Sequence, residues 1–337
     1  MEGVGEDAGV SGQVIGGYEV VRLIGRGGTA ALYEVRDLRD GSRWAMKRWV
    51  GGPGDDVAMA RFRREFRALS RLVHPNVVVV RDWGVDDGGA WFTMELVDGE
   101  DLRSIQPRWA RLDPEDRFVR VQSVLVQAAR ALAYVHDRGL VHRDISPGNI
   151  LVARDGSVKL SDFGLVSDPD VDMTRAGELM GTMACLAPEQ ILGQPVDGRA
   201  DLYGLGSVLY LLLTGRKPFQ AHTAQGWMDR HLHEVPRPPR EIDPLVPESL
   251  DRVCTRLLAK NPDDRYASAW HLLHVLGDVE EGAFDDRWPP RLVGRTWFKA
   301  WLRDGLDEVA QGRRGGAVLL TGEAGSGRTR LLDLAEQ

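Results

Sequence analysis

From residue 18 to residue 97 the apolar positions fall into short runs with strand-like spacing. The runs at 18–24, 31–37 and 42–50 are rich in β-branched and aromatic residues and are broken by Gly-containing turns, which predicts an antiparallel meander. GGPGDD at 51–56 is a loop signal. Over 57–72 the apolar positions 62, 66, 69 and 72 recur at helical spacing with arginines between them, which predicts an amphipathic helix. Two further strands are predicted near 77–85 and 90–97. Beyond residue 100 the pattern turns helical. Asp113-Pro114-Glu115-Asp116 reads as a helix start, with an N-cap acid, a first-turn proline and acids at the positive dipole end. That helix is predicted to reach about residue 138, and others are predicted near 200–214, 223–233, 247–259 and 268–277. Strands first and helices afterwards is the segregated order of an α+β fold.

The boundaries follow from composition. Residues 1–17 hold six glycines and little apolar content, the profile of a flexible tail. The main domain is expected over 18–280, a proline-bearing linker over 281–290, and a new α/β unit from 291 to 337. Lys plus Arg total 43 against 50 Asp plus Glu, a net charge of −7, which argues against a dedicated binder of nucleic acid or of anionic membranes. The two cysteines, Cys185 and Cys254, form neither a zinc site nor a disulfide framework, so a reducing cytoplasm is expected. The acidic, glycine-rich start has no basic residue before Arg22, unlike a signal or transit peptide. The longest apolar run, 205–214, is too short to cross a bilayer.

The candidate chemistry is spread along the chain. Gly25-Arg26-Gly27-Gly28-Thr29-Ala30 lies between two predicted strands, where glycines let backbone amides approach phosphate oxygens; a plain hairpin turn is the alternative. Lys47 sits in an apolar strand and needs an anion if buried. Glu65, on the arginine-rich helix, is an available partner, or else one half of a surface pair. The run His142-Arg143-Asp144-Ile145-Ser146-Pro147-Gly148-Asn149 is followed by Asp162-Phe163-Gly164 and then by Ala187-Pro188-Glu189. Phosphoryl transfer needs a carboxylate near the attacking hydroxyl and oxygen ligands for Mg2+, and Asp144, Asn149 and Asp162 are of those types.

The ordered set GRGGTAALYEV, AMK, Glu65, HRDISPGN, DFG and APE resembles the eukaryotic-like protein kinases, in particular the bacterial Ser/Thr branch, over about residues 18–280. The resemblance implies a two-lobed fold, β-rich and then helical, acting on Ser/Thr hydroxyls of proteins with ATP and Mg2+. It implies that Gly25, Gly27, Gly28 and Ala30 cover the ATP phosphates, that Ile24 also belongs to the nucleotide site, and that Lys47 holds the α- and β-phosphates and pairs with Glu65. It further implies that Leu32, Ala45 and Leu151 enclose adenine, with Met94 at the back of the pocket and the hinge running from Glu95 to Val97. By the same resemblance Asp144 takes the proton of the acceptor hydroxyl, and Asn149 and Asp162 ligate the metal. Glu189 pairs with Arg265, Asp201 braces the catalytic loop, and His142 is structural.

This sequence departs from the family pattern at three places. Ala30 replaces a third glycine. Cys185 stands where many members carry an aromatic residue. Ser146 stands where Ser/Thr kinases usually have a lysine, which removes a positive charge from the phosphate side of the loop. Arg143 before the aspartate marks kinases whose activation segment is ordered by phosphorylation, with Thr174 the candidate acceptor and Ser167 next; the chain's own activation segment is thus an expected partner. Thr182 is expected to contact Asp144. The rival to an active enzyme is an ATP-binding pseudokinase scaffold. Gly322-Glu323-Ala324-Gly325-Ser326-Gly327-Arg328-Thr329, with Arg328 at the lysine position, resembles the phosphate loop opening an AAA-like or STAND-type ATPase domain.

Overall fold

The computed structural model describes residues 11–27, 30–50, 56–86, 89–163 and 183–277. The chain divides into Met1–Glu280 and Glu281–Gln337, and the ATPase-like segment lies outside the described residues. So do Gly28, Gly164, Ser167, Thr174 and Thr182.

Strands β1 (Val14–Ile15), β2 (Tyr18–Arg26), β3 (Ala30–Asp37), β4 (Arg43–Trp49), β5 (Val80–Asp86) and β6 (Gly89–Glu95) form an antiparallel sheet ordered β1-β2-β3-β4-β6-β5. Period-two alternation sends neighbouring residues of one strand into different cores. Met46 joins Ile15, Tyr18, Val20, Val35 and Trp91 on one face. Ala45 joins Trp49, Phe92 and Met94 on the other, where helix α1 (Asp56–Leu69) lays down Phe62. Phe62 and Phe66, one turn apart, sit 5.0 and 5.9 Å from the Phe92 ring and so fix the helix on the sheet.

A small sheet of β7 (Gly99–Asp101), β8 (Ile150–Ala153) and β9 (Val158–Leu160) opens the helical half. The helices are α2 (Leu102–Trp109), α3 (Pro114–His136), α4 (Pro188–Ile191), α5 (Gly198–Thr214), α6 (Ala224–His233), α7 (Pro239–Ile242), α8 (Glu248–Leu257) and α9 (Ala269–Val275). α5 is buried along nearly all its length and is packed by α3 and by the Leu250–Val253–Cys254–Leu257 stripe of α8.

The structure corrects several expectations. Within residues 1–17, expected as a flexible tail, Val14–Ile15 pair with β2 through a turn at Gly16–Gly17, both at positive φ, and Ile15 is buried. The helix expected to reach residue 72 stops at Leu69. The strand expected from 77 begins at Val80, because Val77 instead bridges to Leu160. Asp113 precedes α3 but its side chain makes no capping hydrogen bond; Pro114 and the acids Glu115 and Asp116 carry that start. α2, with Pro107 inside it, was not anticipated; Asp101 caps it by accepting from the Ser104 N–H at 2.7 Å.

One ion pair locks the helical half. Arg265 Nη1 and Nη2 donate to Glu189 Oε1 (2.6 Å) and Oε2 (2.9 Å), with both side chains buried. The same guanidinium donates to the carbonyls of Ala259, Arg199 and Lys260. A planar fork with five donors suits this set and an ammonium does not. Removal of either partner strands a buried charge. Glu189→Ala and Arg265→Ala are each expected to cost about 3–5 kcal/mol in urea denaturation, with Arg265→Lys failing to restore it. A loss of about 1 kcal/mol or less, the value of a surface pair, would contradict this assignment.

Candidate active site

The register of the large sheet brings together residues that are distant in sequence. Leu32 lies opposite Lys47, Lys47 opposite Phe92, and Ala45 opposite Met94. Directly opposed side chains share a face, so Ala30, Leu32, Ala45, Lys47 and Met94 look the same way. Val97 and Leu151 pack against the same apolar cluster, so Leu151 reaches it from the helical half. Gly25 is opposite Leu32, and the Gly27 N–H donates to the Ala30 carbonyl at 2.8 Å. Ile24 is partly exposed and is not part of this cluster.

Lys47 is the meeting point of the two halves. Its Nζ donates to Glu65 Oε1 and to Asp162 Oδ1, both at 2.7 Å. The anchored α1 aims Glu65 inward, so the surface-pair alternative for this residue is set aside. Burial opposes charge on Lys47, but Asp162 and Glu65 outweigh it and raise its pKa. The Lys47 cation holds the Asp162 carboxyl below its usual value against burial, whereas burial outweighs Lys47 at Glu65 and pushes that carboxyl up.

The loop carrying Asp144 is pinned from behind. Asp201 accepts from the backbone N–H of His142 (2.8 Å) and of Arg143 (2.7 Å), and its Oδ2 lies 2.7 Å from His136 Nε2. His142 Nε2 is 3.1 Å from the Ser161 carbonyl, and its Nδ1 accepts from the Asp144 N–H at 3.3 Å, which assigns the neutral Nε2–H tautomer. Burial lowers the His142 pKa, consistent with a neutral ring packed at a 32° tilt with its centroid 4.2 Å from that of Phe163. Asn149 Nδ2 donates to Asp144 Oδ2 (2.9 Å) and to the Asp144 carbonyl (2.8 Å). Among the described residues, Asp144 Oδ1 is buried with no hydrogen-bond partner. Burial, with Asp162 adding to it and the Asn149 amide opposing, raises the Asp144 pKa to about 7.

Residues 18–275 match the protein kinase domain family. The chain belongs to that family. The chain is 36% identical over 344 aligned positions to the DNA damage-responsive serine/threonine-protein kinase RqkA of Deinococcus radiodurans, a match covering 92% of this chain and 51% of the relative. It is 38% identical over 263 positions to the serine/threonine-protein kinase PknH of Mycobacterium tuberculosis, covering 77% of this chain and 41% of the relative. The crystal structure of the M. tuberculosis PknI kinase domain matches with a TM-score of 0.62 at 32% identity, over 80% of this chain and 97% of that one. The chain thus spans about half or less of the curated relatives' length. Its kinase domain is of the bacterial serine/threonine type, with the sheet-then-helices architecture expected above.

Three features of the kinase domain escaped the sequence reading. Among the described residues, the only non-glycine positions at positive φ are Arg143 (67°), which immediately precedes Asp144, and Asp162 itself (51°). Lys159 donates to Glu95 at 2.7 Å and ties the hinge to the strand leading into Asp162. Its signal, a lysine in an apolar strand, was the one used for Lys47. Gln190 accepts from the Ala187 N–H and donates to the Arg143 carbonyl at 2.9 Å, a tertiary contact with no local sequence signal. Ser146 is buried, as is Cys185, whose thiol is pushed up to about 12 by burial.

The Asp144 environment sets a pH dependence. A carboxyl raised from 3.8 to about 7 binds its proton more tightly in the folded chain. The associated stability is therefore full below the ordinary value and is lost as pH rises through about 7. Asp144→Asn is expected to raise stability by about 2–4 kcal/mol at pH 8 in the absence of Mg2+, and by close to nothing at pH 4. Equal effects at both pH values in urea denaturation would contradict the shift.

Proposed function

We propose that this chain transfers the γ-phosphate of ATP to Ser or Thr hydroxyls of protein substrates in the cytoplasm, its own activation segment included. The observation that carries this reading is the convergence of Lys47, Glu65 and Asp162 at 2.7 Å contacts, with Asp144 held by Asn149.

The donor set suits Mg2+. The Asn149 amide nitrogen is committed to Asp144, which leaves its carbonyl oxygen to ligate, and Asp162 is 44% exposed toward the cleft with Oδ2 beside the oxygen that Lys47 occupies. When bound, Mg2+ supplies charge neutralisation between the phosphates. Lys47 binds phosphate oxygens and stays oriented through Glu65. Ile24, Gly25, Gly27, Gly28 and Ala30 cover the triphosphate, and Leu32, Ala45, Met94 and Leu151 enclose the base. The hinge backbone from Glu95 to Val97 hydrogen-bonds the base. Asp144 Oδ1, which has no hydrogen-bond partner among the described residues, receives the acceptor's hydroxyl proton; the acceptor oxygen attacks the γ-phosphorus in line as the bond to the β–γ bridging oxygen breaks and ADP leaves. Neutral His142 keeps the loop in place and moves no proton.

Thr174 is the site at which we place autophosphorylation, with Arg143 the partner of the new phosphate. We read residues 291–337 as the start of a P-loop ATPase-like domain, on the strength of GEAGSGRT alone.

Incubation with labelled ATP and Mg2+ tests the function. Label on protein that falls at least about 100-fold in both Lys47→Met and Asp144→Asn is expected. Nucleotide binding without label transfer in the wild type would establish the pseudokinase scaffold instead. Ser146→Lys restores a cation beside the transferring phosphoryl group and is expected to raise kcat roughly three- to tenfold with little change in the KM for ATP. An unchanged or reduced kcat would show that the missing lysine is not what limits the reaction.

A further inference from the structure

Ser146 deprives the catalytic loop of a cation, yet another cation stands beside the same loop. Arg103, on α2, donates its backbone N–H to the Pro147 carbonyl at 3.3 Å, and its guanidinium lies against Gly148. A Cβ built on Gly148 would fall 2.2 Å from Arg103 Nη2 and 3.2 Å from its Cζ. Gly148 is not at positive φ, so the backbone does not demand glycine there. The missing side chain makes room for the guanidinium.

The acids near Arg103 in sequence are engaged elsewhere. Glu100 accepts from Arg108 at 2.7 Å, and Asp101 caps α2. Among the described residues the Arg103 guanidinium has no carboxylate partner, and the side chain is exposed. Gly148 immediately precedes Asn149, the residue holding Asp144. Among the described residues this planar fork is un-neutralised, and it rests one residue from Asn149. It is carried by the helical half rather than by the β2–β3 strands that cover the phosphates, and it is open to solvent rather than enclosed with the nucleotide.

We propose that Arg103 is a specificity-determining residue that selects acceptor segments bearing an Asp or Glu close to the phosphorylated hydroxyl. A guanidinium pairs with a carboxylate through two parallel N–H···O bonds, and a lysine in the same place on the acceptor meets like charge. The inference rests on the kinase function proposed above.

The test uses the full chain and sets of peptides that differ only in Asp, Ala or Lys at single positions flanking one acceptor Ser or Thr. The wild type is expected to show kcat/KM roughly three- to tenfold higher for at least one Asp peptide than for its Lys counterpart, with the difference in peptide KM. Arg103→Ala should level that preference and Arg103→Glu should invert it. An absence of preference in the wild type, or the same preference in all three proteins, would overturn the proposal. So would an Arg103→Ala protein whose KM for ATP rises while its peptide preference stands, since the guanidinium would then serve the triphosphate. If the wild type transfers no phosphate, the kinase reading fails on its own. Fluorescence anisotropy of the same peptides with Mg2+ and a non-hydrolysable ATP analogue then decides: acidic preference lost in Arg103→Ala supports the subsite, and equal binding overturns it.

Discussion

A single ammonium shared by two carboxylates organises this molecule. Lys47 belongs to the sheet, Glu65 to the helix laid on it, and Asp162 to the segment that leaves β9 in the helical half. In a poorly hydrated cleft an unpaired charge is costly, so each of the three needs the other two. The balance is nevertheless not neutral. One cation faces two carboxylates, with Asp144 close by and carrying a pKa near neutrality. The surplus of negative charge on oxygen donors is the electrostatic complement of a divalent cation, as the proposed reaction with Mg2+ and ATP would require.

The rest of the helical half serves to hold Asp144 against that charge. Asp201 grips the backbone of His142 and Arg143, while the Glu189–Arg265 fork ties in the carbonyls of Ala259, Arg199 and Lys260. Arg143 and Asp162 adopt left-handed backbone conformations that side chains disfavour. Such conformations persist where surrounding contacts over-determine them, and here those contacts are Asp201, Gln190 and Lys47. The carboxylate at 144 is destabilising in the resting fold for the reason that would suit it to the proton-accepting role proposed above: it is buried, and among the described residues its Oδ1 has no partner.

Much of this was legible in the chain, for physical reasons that differ from place to place. Lys47 in an apolar strand and the His142–Asn149 run announced themselves because buried charge and metal-ligating oxygens are expensive to place by accident. The meander and the long helices followed from period. Elements set by tertiary contact were harder to see. Strand β1 exists because Ile15 finds a core with Trp91, and α2 tolerates Pro107 because Asp101 caps it and Leu102 and Ile105 are buried. The positive φ angles, the Lys159–Glu95 tie and the guanidinium resting on Gly148 are products of chain segments meeting, and no local pattern encodes them. Ser146 was visible as a departure, but the nearby Arg103 was not.

The central claim is that the carboxylate which Lys47 holds is the one that receives the metal. Calorimetric titration of ATP with and without Mg2+, in the wild type and in Asp162→Asn, addresses it directly. The account predicts that Mg2+ tightens ATP binding at least about tenfold in the wild type and that this enhancement disappears in the variant. An equal enhancement in both proteins would contradict it, because the metal would then be held without Asp162.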